Sequence, residues 1–127
     1  MANNFESLEV WKECRLFRIQ ISSTVKTFPS EEKYRLADQL IRASRSVTAN
    51  IAEGHGRYHF QENSHFCRQG RGSLTETLDH LICAHDEKYI SEIQLREFRV
   101  QYEKCLKLLN GYIGFLQRQK NNTQSPN

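Results

Sequence analysis

Two stretches of this chain repeat apolar residues at alternating steps of three and four, and that rhythm restricts the backbone more than any other feature. The first is Val10, Cys14, Phe17, Ile21, Val25 and Phe28; the second, cleaner, is Leu95, Phe98, Tyr102, Cys105, Leu109, Tyr112 and Leu116. Such steps gather side chains on one stripe of an α-helix and scatter them over both faces of a strand. Between the two lie further inward faces. One runs through Tyr34, Ala37, Leu40, Ile41, Ser44, Val47, Thr48 and Ile51. The other runs through Phe66, Gly70, Ser73, Leu74, Thr77, Leu78, Leu81, Ile82 and Ala84.

Local punctuation sets the ends of these helices. Ser7 is placed to cap the first, with Glu9 in its first turn, and Phe28-Pro29 ends it. Ser30, followed by Glu31 and Glu32, should open the second, which Gly54 and Gly56 should close in left-handed backbone. Residues 55–61, extending towards Asn63, read as the longest loop, and the third helix then runs from Glu62 to Asp86. Gly70 and Gly72 inside it each cost about 1 kcal/mol relative to alanine, which points to a closely approaching neighbour. Ser91 and Gln94 form a capping box for the fourth helix. Residues 1–120 are therefore expected to form the bundle and residues 121–127 a disordered tail. Long helices with short connections pack up-down-up-down, so the fold class is all-α, an antiparallel four-helix bundle.

A hydrophobic content of 38% suits amphipathic helices. No apolar run approaches the roughly 20 residues of a membrane span, and no secretory leader is evident. A cytoplasmic protein with no membrane partner is the expectation. Cys14, Cys67, Cys83 and Cys105 are far apart and form no C-x-x-C pair, so they read as small hydrophobes rather than disulfides.

Residues with catalytic potential do not converge. His55 and His59 lie in the expected loop, and His65 and Cys67 point to different sides of a helix. His80 and Cys83 lack third and fourth ligands. No Glu-x-x-His pair of the di-iron type occurs, and Glu62 with His65 is the nearest approach to one. Gly70-Arg71-Gly72-Ser73 lies in a helical pattern with no strand before it, unlike a phosphate loop. The chain reads as a non-enzyme, with no metal and no cofactor.

Charge is the remaining signal. Residues 73–91 carry one lysine against four carboxylates, a net of −3, between two basic segments. Arg35, Arg42 and Arg45 on the second helix, Arg57, Tyr58 and His59 on the loop, and His65, Arg68 and Arg71 on the third could form one basic patch. An aromatic for stacking would belong to it, as RNA binding requires. The RNA-binding candidates are Arg42, Arg45, Arg57, Arg68 and Arg71. The alternative is a solvated face whose arginines pair with Asp38, Glu53 and Glu62. Arg96, Arg99, Lys104, Lys107, Arg118 and Lys120 form a second basic set, with Glu97 and Glu103 expected as intrahelical partners.

Several motifs appear in order: Phe5 with Leu8-Glu9-Val10-Trp11, Phe28-Pro29 before Tyr34, Asn50-Ile51-Ala52-Glu53-Gly54, and Gly72-Ser73-Leu74-Thr75-Glu76. With them, residues 4–116 resemble the bacterial four-helix bundle family encoded in intervening sequences of 23S ribosomal RNA genes. The resemblance implies a homo-oligomer, a pentameric ring, with RNA as a suggested partner. It also implies kinship with the accessory protein of diversity-generating retroelements, which works beside a reverse transcriptase. An accessory scaffold for an RNA-processing or reverse-transcriptase enzyme is therefore the alternative to direct RNA binding. Members often carry proline at the position of Thr48, glycine at Lys88 and alanine at Gly70. Trp11, Asn50, Glu53, Gly54, Gly72, Ser73 and Glu76, as motif residues, are expected to serve structure or subunit contact.

Overall fold

A computed structural model describes residues 4–124. A 3-10 turn, Phe5–Ser7, leads into α1, Glu9–Val25, and a second such turn, Ser30–Glu32, precedes α2, Leu36–His55. Helix α3 spans Phe60–Asp86 and α4 spans Glu92–Gln124. Each helix packs on the next in chain order and α1 closes the ring against α4. The cross-helix pairs run in opposite directions at every interface. Ser46 meets Ser73 while Gly54 meets Asn63, and Ser64 bonds Gln117 while Arg71 bonds Asn110. Glu13 pairs with Lys104 while Phe17 packs on Phe98. The architecture is the antiparallel up-down-up-down four-helix bundle expected from the apolar stripes.

Those stripes meet in one core. Phe17, Ile21, Leu40, Ile51, Leu74, Leu81, Leu109 and Leu116 are its largest fully enclosed side chains. Each such side chain contributes about 1.5–3 kcal/mol of burial. Cys14, Cys67 and Cys105 lie within this core and Cys83 is exposed, and all four are free thiols.

The helix ends depart from expectation in instructive ways. Ser7 does not cap α1: it closes the 3-10 turn through Asn4, and Leu8 occupies the cap position without a side-chain bond. Ser30 opens a 3-10 turn instead of α2. The chain then breaks at Arg35 (φ −121, ψ −108), which turns Tyr34 outward to 83% exposure instead of into the core. His55 is helical and α3 begins at Phe60, so the α2–α3 connection is only residues 56–59. Helix α4 continues through Gln124, four residues beyond the expected end at Lys120, and residues 125–127 of the expected tail lie outside the described residues.

No described glycine takes a left-handed conformation; Tyr58 (φ 61) and Lys88 (φ 65) do so instead. Lys88 belongs to a Schellman turn at the end of α3, in which its N–H bonds the His85 carbonyl and the Tyr89 N–H bonds that of Ala84. Gly54 serves another purpose: a Cβ there would come within 2.6 Å of Asn63 Oδ1 and 2.9 Å of the Asn63 carbonyl. Gly70 likewise faces Asn50 Cβ at 3.3 Å, whereas Gly72 faces open space. Of the two glycines within α3, Gly70 alone marks a close approach. The expected capping box forms, with Ser91 N–H donating to Gln94 Oε1 at 2.8 Å and Gln94 N–H to Ser91 Oγ at 3.1 Å.

Candidate nucleic-acid interface

The five candidate arginines do not share one surface. Arg45 lines the groove between α1 and α2, whereas Arg71 donates to Asn110 Oδ1 at 2.8 Å across the α3–α4 groove. In a ring of four helices these grooves are on opposite flanks. Arg57 and Arg68 both neighbour Phe66: the Arg57 guanidinium sits 5.0 Å over that ring, and Arg68 lines a surface depression with it.

The solvated-face alternative describes two of the five. Arg42 pairs with Asp38 at 3.7 Å, and Arg57 pairs with Glu53 at 3.2 Å and reaches Glu62 at 4.0 Å. These are exposed or half-exposed pairs, each worth a fraction of a kcal/mol, but they hold the two cations against their own carboxylates. In the second basic set, Lys104 crosses to Glu13 of α1 at 3.0 Å and Arg96 pairs with Glu92 at 3.4 Å.

A different cationic cluster emerges on the α1–α2 flank. Arg15, Arg18 and Ser22 follow one another along α1 at helical spacing, Lys26 continues the series just past its end, and Ile41, Ser44 and Arg45 of α2 share a groove with the last three. Arg18, Ser22, Lys26 and Arg45 line a groove of about 250 Å³ together with Ser23 and Ser44. Partial burial, then the neighbouring charges of Arg15 and Arg45, push the Arg18 guanidinium below its ordinary pKa. Arg18 Nε donates to Thr48 Oγ1 at 3.1 Å. Arg15 lies 5.6 Å over the ring of Trp11. Among the described residues, none of Arg15, Arg18 and Arg45 has a carboxylate within salt-bridge distance. The sequence signal for this cluster was the spacing of Arg15, Arg18, Ser22 and Lys26, which places four polar or cationic residues on one flank of α1.

Apart from Gly72, which faces open space, the motif residues bond or pack within the chain. Trp11 is buried edge-on against Phe5 at 5.1 Å. Asn50 Nδ2 donates to the Ser46 carbonyl at 2.9 Å, and Ser46 Oγ meets Ser73 Oγ at 2.8 Å, so two motifs are joined across the α2–α3 seam. Glu53 holds Arg57, and Glu76 holds His80 at 3.1 Å. No group of three or more His, Cys, Asp or Glu side chains among the described residues is arranged to hold a metal ion. None of the described helices is long and apolar enough to cross a membrane.

Fold and surface together define a small helical-bundle protein with a basic groove between α1 and α2. The family model described as 23S rRNA-intervening sequence protein matches residues 6–111, and the chain belongs to that family. No curated protein is significantly similar to it.

Proposed function

We propose that this chain is a non-enzymatic, RNA-binding subunit of a cytoplasmic homo-oligomer, gripping the RNA backbone in the α1–α2 groove. The carrying observation is the convergence of Arg15, Arg18 and Arg45 with no carboxylate beside them. Like charges gathered in this way are relieved by a polyanion, and serine hydroxyls alongside them suit phosphate oxygens. The family's link to 23S rRNA intervening sequences makes RNA the polyanion of choice. Exposed Leu16 on α1 and Ile93 and Val100 on α4 favour a further copy packed on the outer surface, and a ring of copies would multiply a weak groove.

Retention of a structured RNA across about 50–200 mM salt tests this reading. Affinity should fall steeply, and Arg15→Gln, Arg18→Gln and Arg45→Gln should each lower the salt slope by about one. Arg71→Gln, on the opposite flank, should leave it unchanged. No affinity at the low-salt limit, or an unaltered slope in the triple variant, sinks the proposal and leaves the accessory-scaffold reading.

A further inference from the structure

A second concavity, of about 420 Å³, opens at the end of the bundle where α2 turns into α3. Its walls are aromatic: Tyr58, Phe60, Tyr112 and Phe115 line it, and the rings of Tyr112 and Phe115 are within 17° of parallel. Its floor is polar. Asn63, only 7% exposed, donates one amide hydrogen to the Tyr112 hydroxyl at 3.1 Å and accepts the Cys67 thiol on Oδ1 at 3.4 Å. The second amide hydrogen of Asn63 and the hydroxyl hydrogen of Tyr112 have no acceptor among the described residues. Burial raises the Tyr112 pKa, which keeps that hydroxyl a donor.

The geometry points to a binding slot for an unpaired nucleobase that presents a carbonyl edge: uracil, cytosine or guanine rather than adenine. Aromatic walls select a planar ring, and two adjacent unclaimed donors select a carbonyl oxygen, whose two lone pairs can take both, over the ring nitrogens of adenine, which have one each. An aliphatic occupant would leave both donors buried and unpaired. Tyr58 is 89% exposed and held at φ 61, a conformation that a bulky side chain adopts under strain. Its ring finds no compensating burial within the chain, as expected of a residue kept open for a stacking partner. This inference rests on the RNA reading, to which it adds the single-stranded, base-selective part.

The test uses the full chain with labelled oligouridylate and oligoadenylate of one length, titrated by fluorescence anisotropy at fixed salt. Oligouridylate should bind about tenfold more tightly, the scale of one stacked and hydrogen-bonded base. Tyr58→Gly removes the ring and relieves the backbone, and Tyr112→Phe removes only the hydroxyl. Tyr112→Phe should bring oligouridylate down to the oligoadenylate affinity without altering the latter, and Tyr58→Gly should weaken oligouridylate at least as much, in protein whose thermal melts confirm folding. Equal affinities in the unaltered protein, or a preference that survives both substitutions, overturn the slot and leave the groove standing. If neither oligomer binds, uridine monophosphate against adenosine monophosphate decides the slot alone, and the groove stands or falls on its own salt titration. Shifts of the Tyr112 and Phe115 ring signals specific to the uridine nucleotide support it, and their absence overturns it. A change in sedimentation on Tyr58→Gly identifies a subunit contact and also overturns it.

Discussion

Asn63 Oδ1 lies 2.6 Å from the point where a Cβ on Gly54 would sit, so the two helices of the α2–α3 hairpin meet at backbone distance. Gly54→Ala should destabilise the protein by about 1–3 kcal/mol in urea denaturation, because rigid backbone as well as side chain would have to move. Gly72→Ala, in open helical surface, should instead stabilise it by about 0.5–1 kcal/mol.

Lys88 occupies left-handed backbone that costs an L-residue about 1–2 kcal/mol. Lys88→Gly removes that strain but adds freedom to the unfolded chain. A net gain of about 0.5–1 kcal/mol is expected, read from the same denaturation curves. A loss would mean that the lysine side chain makes a compensating contact.

Burial pushes the Cys67 thiol up to about 12, and the neighbouring Cys105 thiol and burial push Cys14 up as well. Their folded pKa values exceed their unfolded ones. The stability they contribute is therefore complete below about pH 8.5 and declines as pH rises towards 12, by up to about 1.4 kcal/mol per pH unit for each thiol. Denaturation midpoints across that range provide the check. At pH 8 a thiol reagent should label Cys83 alone in the native protein, and slowly. Partial burial and the carboxylates of Glu87, Asp86, Asp79 and Glu32 all oppose its ionisation.

Trp11 is the only tryptophan, and Arg15 stands over its ring. RNA held in the α1–α2 groove should draw the guanidinium away and change Trp11 emission in step with binding. The change should be absent in Arg15→Gln. Emission that stays constant through a saturating titration would place the RNA elsewhere.

The core was readable from spacing alone, because a helical stripe needs no tertiary information. Val10, Cys14, Phe17, Ile21, Val25 and Phe28 are all buried, as are Leu95, Phe98, Tyr102, Cys105, Leu109 and Leu116. The Ser91–Gln94 box was equally local. Tyr34 turns outward because a serine followed by two glutamates opens a 3-10 turn as readily as an α-helix, and the break at Arg35 leaves no mark in composition. The arginine patch failed for a different reason. Proximity in sequence does not say which neighbouring helix a residue faces, so Arg45 and Arg71 looked close while facing opposite flanks. The convergence of Arg15 and Arg18 with Arg45 is not legible in the sequence, because Arg45 is some thirty residues away and only folding brings it near.

Where α2 and α3 touch, the missing Cβ atoms at Gly54 and Gly70 let the two backbones approach closely, with the Ser46–Ser73 hydrogen bond on the same seam. Alignment of those helices is therefore governed by main-chain shape, which tolerates almost no drift. Among the described residues, Tyr58 and Arg68, outward on the same hairpin, take no part in the hydrogen bonds and ion pairs that hold it together. A lineage can rewrite what that edge recognises while inheriting the join intact.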